Sequence, residues 1–416
     1  MPKKSLGAFV GGLNNKAERH RLPVRGEKGS IRTVRNAVNV DVTNEGGFSS
    51  RETPVKVFSG IGLRDGWSCS AGSFFRQGAV IKKFNQDDSA TVVTQNVNGS
   101  RIAWGYSAGI VFFSDGIVSK KIYPDGSVSN WGMTPPGSAP ILSAGGRYGS
   151  GEYQACYTFV AADGTESGAS PVAVGPSGGK VSGMLTSPDN QVVAKRVYVT
   201  EPNGSSFFLA AEVLPRTGST LVPSGYTSGR LIATMGKTNP PPGSIIRAAN
   251  GRIFIVNGGN VWYTDEWSID LVSISEETEG LNRFNCWSFS SDVTMLEFVE
   301  GGAWLVADKT YFVQGKNPNQ AEPIIVSENT AVKNTTRIDP ETGDALWMSD
   351  EGIIKGGPGG QLSKPQAADV AIDQAQEGSS VMINKGGISQ MITTMKDPVP
   401  SNMRAKGWFE FEVVKP

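Results

Sequence analysis

One pattern recurs along the chain and limits what it can become: an aromatic strand, a tight turn at or near an Asp, and a second apolar strand. "GIVFFSDGIVSKKIYPDGSVSNW" (109–131) reads as consecutive strands, with turns at Ser114-Asp115-Gly116 and Pro124-Asp125-Gly126. "NGRIFIVNGGNVWYTDEWS" (250–268) repeats the plan around Asn257-Gly258-Gly259-Asn260. "GGAWLVADKTYFVQG" (301–315) repeats it around Ala307-Asp308-Lys309, and "GDALWMSDEGIIKGG" (343–357) repeats it again. The later units stand roughly 35–50 residues apart, the spacing of propeller blades, each a small antiparallel sheet that cannot bury its faces alone. An ordinary β-rich fold with recurrent hairpins is the alternative. Further strands are read in "GAVIKKF" (78–84), "ATVVTQNV" (90–97) and "RIAWGYS" (101–107). The 52 glycines fit many short strands joined by tight turns. The best helix candidate is 366–377, "QAADVAIDQAQE".

The middle of the chain differs. Pro/Gly linkers at 132–147 and 236–244 bracket it. Tyr153, Ala155, Tyr157 and Phe159 alternate before an Asp163-Gly164 turn, and Val197 and Val199 alternate around Tyr198. This spacing suits a small antiparallel sandwich of fibronectin type III-like form, inserted between two halves of a larger β domain. The expected class is therefore all-β, a β-propeller interrupted by a β-sandwich. Its parts are an N-terminal arm at 1–35, a first propeller part at 36–147, the insert at 148–232 and the remainder at 233–416.

Net formal charge is zero, yet the charge is unevenly placed. Residues 1–35 carry nine Lys or Arg against Glu18 and Glu27, while residues 265–300 carry nine acids against Arg283 alone. Solvated surface segments explain both blandly; a basic arm meeting a partner and an acidic face repelling nucleic acid explain them more sharply. Cys69, Cys156 and Cys286 are dispersed and form no CxxC, which speaks against structural zinc and reads as three small buried apolar residues in a reducing cytosol. The first fifteen residues lack the apolar core of a signal peptide, and no run approaches the ~20 apolar residues of a membrane span. A soluble protein made in a cytoplasm is expected.

No catalytic constellation emerges. The single histidine, His20, has no nucleophile or orienter beside it. Asp265-Glu266 and Glu276-Glu277, near Trp262, Tyr263 and Trp267, are the carboxylates that could form a general acid and base for glycan cleavage. Asp115, Asp308 and Asp350 recur at turns, where carboxylates bond local backbone N–H groups. "GGPGG" (356–360) lacks the Lys-Ser/Thr of a phosphate loop, and "DPETGD" (339–344) lacks the length of a calcium loop. No cofactor, no metal and no enzymatic activity are expected.

Near the N-terminus, "AVNVDVTNEGGFSSR" (37–51) forms one hairpin pattern, with Val38, Val40 and Val42 alternating ahead of an Asn44-Glu45-Gly46-Gly47 turn. Preceded by "GAFVGGLNNKAERHRLP", this hairpin, with Asn39, Asp41, Gly46-Gly47 and Arg51, resembles the opening of nozzle proteins of short-tailed bacteriophages, also called tail tubular or packaged-DNA stabilisation proteins. "RIFIVNGGNVWYTDEWSIDLV", "WLVADKTYFVQGKNP" and "LWMSDEGIIKG" resemble successive blades of that group, and "YTFVAADGTESGASPVAV" resembles an insert that some members carry.

The resemblance implies a structural virion protein in the phage tail, made in the host bacterial cytoplasm. Six copies would form a hexameric ring below the portal and its adaptor. Tail fibre, spike or needle proteins would lie beyond it, and packaged double-stranded DNA would be retained and then conducted through it. The hairpin would be the first outer or closing strand pair of the propeller. The basic leader, with Lys16, Arg19, His20, Arg21 and Arg25, would dock on neighbours. A conduit should not grip DNA, because each neutralised phosphate adds salt-sensitive affinity. Glu276, Glu277 and Glu279 are accordingly candidates to face the channel. The alternative function is a propeller-type tail protein that binds or cleaves host glycans.

Overall fold

The computed structural model describes residues 40–42, 48–50, 58–99, 101–145, 151–274, 285–365, 375–385 and 388–396. It is an all-β protein built from many four-stranded antiparallel sheets. No α-helix occurs among the described residues, only three-residue 3-10 turns such as Pro318–Gln320. Two compact units divide the chain, one of residues Gly60–Ser288 and one of Met1–Ser59 with Phe289–Pro416.

The unit Gly60–Ser288 holds three meandering sheets. Sheet A runs Leu63–Cys69, Gly72–Gln77, Val80–Phe84 and Ala90–Thr94. Sheet B runs Ala103–Ser107, Ile110–Ser114, Ser119–Ile122 and Val128–Asn130. Sheet C runs Ile245–Ala249, Arg252–Asn257, Asn260–Tyr263 and Cys286–Ser288. Within each sheet the neighbours follow chain order.

Sheet B shows why its second strand reads as an unbroken apolar run. Side chains alternate faces along a strand, so a run such as Ile110-Val111-Phe112-Phe113 requires both faces to be covered. Val111 and Phe113 enter one core with Phe74, Ile81 and Trp104, where sheets A and B meet. Phe112 enters a second core with Trp131, Ile246, Ile253 and Ile255, where sheets B and C meet. Both phenylalanines are wholly buried, a contribution of about 1.5–3 kcal/mol each. Trp67 and Trp104 stack across the first interface, centroids 5.6 Å apart and planes 4° apart. Gly105 lets Ile246 of sheet C sit directly on sheet B, since a Cβ there would overlap the Ile246 Cγ2.

In the chain, between sheets B and C, come two sheets over one core of their own. A four-stranded sheet is ordered Ala173–Gly175, Tyr153–Ala161, Val192–Thr200 and Phe207–Val213. A three-stranded sheet is ordered Ile141–Ser143, Lys180–Ser182 and Ser219–Leu221. Its first strand lies within the stretch read as a linker. Tyr153, Ala155, Tyr157, Phe159, Val197 and Val199 point into the core, as their alternation requires, and meet Val181 of the second sheet. On the opposite face Glu166 accepts from the Thr158 hydroxyl at 2.6 Å and the Tyr198 hydroxyl at 2.7 Å, and pairs with Arg196 at 2.9 Å.

In the other unit, sheet D runs Met295–Val299, Gly302–Val306, Thr310–Gln314 and Pro323–Ser327. Sheet E runs Arg337–Ile338, Ala345–Ser349, Gly352–Gly356 and Leu362–Ser363. Trp304, Phe312, Trp347 and Ile354 join them in one core, and Trp304 donates its indole N–H to the Gly357 carbonyl at 3.0 Å. Gly356 makes room for that ring: a Cβ would stand 2.6 Å from Trp304 Cε2. Val40–Val42 pairs with Phe48–Ser50, so the hairpin expected at 37–51 forms; its turn, 43–47, lies outside the described residues. Glu377–Lys385 and Ile388–Lys396 form a two-stranded ribbon. Of the helix expected at 366–377, residues 366–374 lie outside the described residues, and Glu377 opens a strand instead. Its C-terminal end is set by pairing with Lys396, a tertiary contact that overrides local helix propensity.

Candidate functional site

The docking-arm residues Lys16, Arg19, His20, Arg21 and Arg25, and the acidic candidates Glu276, Glu277 and Glu279, lie outside the described residues. What the structure does place is the start of the acidic stretch, the corner that follows strand Asn260–Tyr263. Thr264 locks the corner to sheet C: its N–H donates to the Ile253 carbonyl at 2.9 Å, and its hydroxyl accepts the Ile253 N–H at 3.0 Å. The Trp267 N–H donates to the Gly251 carbonyl at 2.8 Å. That bond holds Trp267 in the left-handed region, φ 61°, where a bulky side chain is strained. The indole is 84% exposed. Its inner face rests on Gly251, where a Cβ would come within 3.3 Å of the ring.

The carboxylates at this corner are tied down. Asp265 pairs with Lys237 Nζ at 2.8 Å and accepts from Asn285 Nδ2 at 2.6 Å and Ser273 Oγ at 3.1 Å. Burial pushes its carboxyl up, but the Lys237 ammonium and the Asn285 and Ser273 donors outweigh that and hold it below the usual carboxylate range. A general acid needs the reverse, a carboxyl kept protonated near neutrality. The reading of Asp265-Glu266 as an acid and base pair is therefore corrected for Asp265: it is a fixed anion that joins the corner to Lys237–Thr238 and Val272–Ser273. Glu266 is largely exposed and lies 3.8 Å from Arg252 Nη2. Tyr263, one of the aromatic neighbours, is buried against Phe254 and Trp287 and offers no open face.

The far end of the corner is anchored to sheet B. Asp270 meets Lys121 Nζ at 2.8 Å, both side chains at least nine-tenths buried, and Trp131 donates its indole N–H to the Ile269 carbonyl at 2.5 Å. Burial works against the Lys121 ammonium, but the Asp270 carboxylate beside it prevails and raises its pKa. The result is a rigid platform presenting Trp267 and Glu266 to solvent. An exposed aromatic on fixed backbone suits recognition, because little conformational freedom is lost when it is covered.

Other sequence readings resolve individually. Asp115 accepts from the N–H groups of Ile117 at 2.9 Å and Val118 at 2.8 Å, as expected of a turn carboxylate, and also from those of Asn98 and Gly99. Asp308 instead accepts from the Tyr311 hydroxyl at 2.9 Å. At the turn of sheet E the Glu351 N–H goes to Ser349 Oγ at 3.1 Å, so there the hydroxyl does what Asp350 was expected to do. Cys156 is buried and burial pushes its thiol up to about 12, whereas Cys69 and Cys286 are only half-buried, contrary to the reading of all three as core residues. Lys195 was not singled out by sequence. It points into the core of the paired sheets and donates to the Thr217 carbonyl at 2.9 Å, and its burial lowers its pKa.

No protein-family model and no curated protein matches the chain. Among solved structures it is similar to the computationally designed Ika8 protein at 11% identity, over 74% of this chain and 89% of that one, with a TM-score of 0.23. It is also similar to the dihydro-heme d1 dehydrogenase NirN in complex with DHE, at 13% identity over 61% of this chain and 51% of that one, TM-score 0.25. A third is the extracellular domain of the hybrid two component system BT4673 from B. thetaiotaomicron, at 11% identity over 80% of this chain and 48% of that one, TM-score 0.25. The chain thus spans about half the length of the second and third of these chains.

Proposed function

We propose that the chain is a structural virion protein of a short phage tail: a β-propeller, split by a fibronectin type III-like sandwich, that forms a ring below portal and adaptor. The observation that carries the fold part is sheet B, whose two faces feed two different cores, one shared with sheet A and one with sheet C. Sheets stacked in that way are what radially arranged blades require. The functional part rests on the resemblance of the N-terminal hairpin and the successive blade motifs to nozzle proteins. The stretch "YTFVAADGTESGASPVAV", which resembles an insert that some members carry, supplies strands of the paired sheets that lie between B and C in the chain.

In this reading the ring retains DNA by narrowing and by partners that plug its exit, and not by tight binding. Zero net charge and the acidic stretch support that. Purified protein should bind duplex DNA no better than ~10⁻⁴ to 10⁻⁶ M at physiological salt, the non-specific range, with steep loss as salt rises. Fluorescence anisotropy across a salt series checks this, and nanomolar, salt-resistant binding contradicts it. Reversing Glu276, Glu277 and Glu279 to Lys should leave assembly intact and slow ejection. Unchanged ejection would place these acids away from the channel.

The exposed Trp267 favours a second reading, glycan binding, since aromatic platforms stack on apolar sugar faces. Asp265, held as an anion by Lys237, Asn285 and Ser273, does not suit the general-acid role in a glycan-cleaving pair. Trp267→Ala should change folding stability by no more than about 0.5 kcal/mol, as for surface positions generally. Calorimetric titration with host capsular or lipopolysaccharide glycans separates the readings. Saturable binding abolished by Trp267→Ala supports the second, and no binding by the wild-type protein supports the first.

A further inference from the structure

One short segment, residues 229–238, runs from the paired sheets to the Trp267 corner and is fastened at both ends. At its first end it extends the edge of strand Phe207–Val213: the Leu209 N–H donates to the Arg230 carbonyl at 2.9 Å, and the Ile232 N–H donates to the Phe207 carbonyl at 3.0 Å. Arg230 Nη2 also meets Glu166 at 2.5 Å, the carboxylate already held by Thr158, Tyr198 and Arg196. At its second end Lys237–Thr238 pairs with Val272–Ser273, and the Ile274 N–H donates to the Gly236 carbonyl at 2.9 Å. Lys237 Nζ meets Asp265 at 2.8 Å. The residues gripped at this second end flank Trp267 on both sides.

Between its ends the segment lies against the loop that follows strand Tyr153–Ala161. The Ala169 N–H donates to the Thr234 carbonyl at 3.3 Å. A Cβ at Gly168 would overlap the Lys237 carbonyl oxygen. Gly168 lies outside the left-handed region, so the closeness of residue 237 demands glycine there, and conformation does not. The loop itself has little room to give. The Ser167 N–H donates to the Phe159 carbonyl at 2.9 Å and the Ser170 N–H to the Tyr157 carbonyl at 2.9 Å. The Phe159 N–H in turn donates to Ser167 Oγ at 2.9 Å. Tyr157 and Phe159 are anchored in the core of the paired sheets.

We propose that the paired sheets position the Trp267 platform through this segment. Glu166 and the loop 167–170 set the path of residues 229–238, and that path holds Lys237 against Asp265 and residues 236–238 against Val272, Ser273 and Ile274. Packed, hydrogen-bonded backbone of this kind carries coupling between separate parts of a fold. Lys237 and Gly168 are thus positioning residues for the platform, and the paired sheets gain a task inside the molecule. The meaning of that task rests on the corner being a recognition platform; the coupling is measured with no ligand present.

Hydrogen exchange with mass spectrometry on the full chain, comparing wild type with Gly168→Ala and Gly179→Ala, tests this. Gly179 is enclosed as tightly as Gly168, but its Cβ would overlap the Gly145 carbonyl, within the paired sheets. In Gly168→Ala, peptides covering 264–274 should exchange about tenfold faster or more, as when a local element is released. Peptides from Tyr153–Ala161, Val192–Thr200 and sheet A should exchange as in wild type, which shows that the rest remains folded. Gly179→Ala should leave 264–274 at the wild-type rate. If Gly168→Ala does not fold, Arg230→Ala takes its place: it removes a half-exposed side chain at the first end of the segment and should speed 264–274 in the same direction. Wild-type exchange of 264–274 in the variant that folds overturns the proposal. Equally fast exchange of 264–274 in Gly179→Ala also overturns it, because the corner would then follow the general stability of the paired sheets and not the path of the segment. Failure of the recognition reading would leave all these rates as they are.

Discussion

Removing residues 2–35 should leave a folded protein that no longer enters the tail. The segment carries nine basic residues against two acids and little apolar surface, too little to build a core of its own. In the proposed reading its Lys and Arg charges serve recognition of a neighbour in the tail. Lys16, Arg19, His20, Arg21 and Arg25 are the positions proposed to make those contacts. The effect should be near total loss of incorporation, read by quantifying the protein in purified particles after complementation with the truncated gene. Thermal unfolding of the truncated protein should match the wild type, because sheets A to E are assembled from residues beyond 60. Normal occupancy by the truncated protein would show that docking lies elsewhere, with the Trp267 platform the next surface to test.

Asp270→Ala should be among the most damaging single substitutions in the unit Gly60–Ser288. The carboxylate meets Lys121 Nζ at 2.8 Å, and both side chains are nine-tenths buried or more. Removing one partner of such a pair strands an uncompensated charge and costs about 3–5 kcal/mol. The Tyr123 ring lies 5.3 Å from the same ammonium, which softens the loss without replacing the carboxylate. At about 2–4 °C per kcal/mol for a unit of this size, the melting temperature should fall by roughly 6–20 °C. The double variant Lys121→Met/Asp270→Leu should recover most of it, since apolar replacement of a buried pair is often neutral or better. Urea denaturation of the three proteins measures the loss and its recovery, and thermal unfolding measures the shift in melting temperature. A cost below about 1 kcal/mol for Asp270→Ala would mean that Lys121 finds water when unpaired.

The parts of this structure that sequence reveals are those encoded locally. The strand pairs at 109–131, 250–263, 301–315 and 343–357 are marked by Gly, Asn and Asp turns between β-branched and aromatic runs, and all form as read. The first strand of sheet A is a counterexample. Its Asp65-Gly66 pair has the composition of a hairpin turn, yet the two residues sit inside Leu63–Cys69 as a bulge, with Asp65 at φ 56°. The outer strand Pro323–Ser327 is a short apolar run reached from Thr310–Gln314 through a longer connection with a 3-10 turn, Pro318–Gln320, so no tight-turn signal announces its pairing.

The candidate site was legible in its residues but not in its geometry. Trp262, Tyr263, Asp265, Glu266 and Trp267 are consecutive or nearly so, which draws attention to them as a group. What decides their chemistry is brought from a distance: Lys237 and Asn285 to Asp265, and Lys121 to Asp270 across 149 residues. Sequence spacing alone would have left Asp265 available as an acid; its ion pair and two donors remove that role. Trp267 also rests on Gly251, sixteen positions earlier, where a Cβ would crowd the indole at 3.3 Å. Neither relation has a periodicity or a motif that a single sequence displays.

A cryo-EM reconstruction of the assembled particle tests the central proposal most directly. The map should show a six-fold ring of this protein immediately below portal and adaptor, with four-stranded sheets in each copy, density for residues 1–35 against a neighbour, and DNA density along the axis. Density for this protein only at the tips of peripheral fibres, with no ring on the axis, would overturn the nozzle reading and favour glycan binding instead.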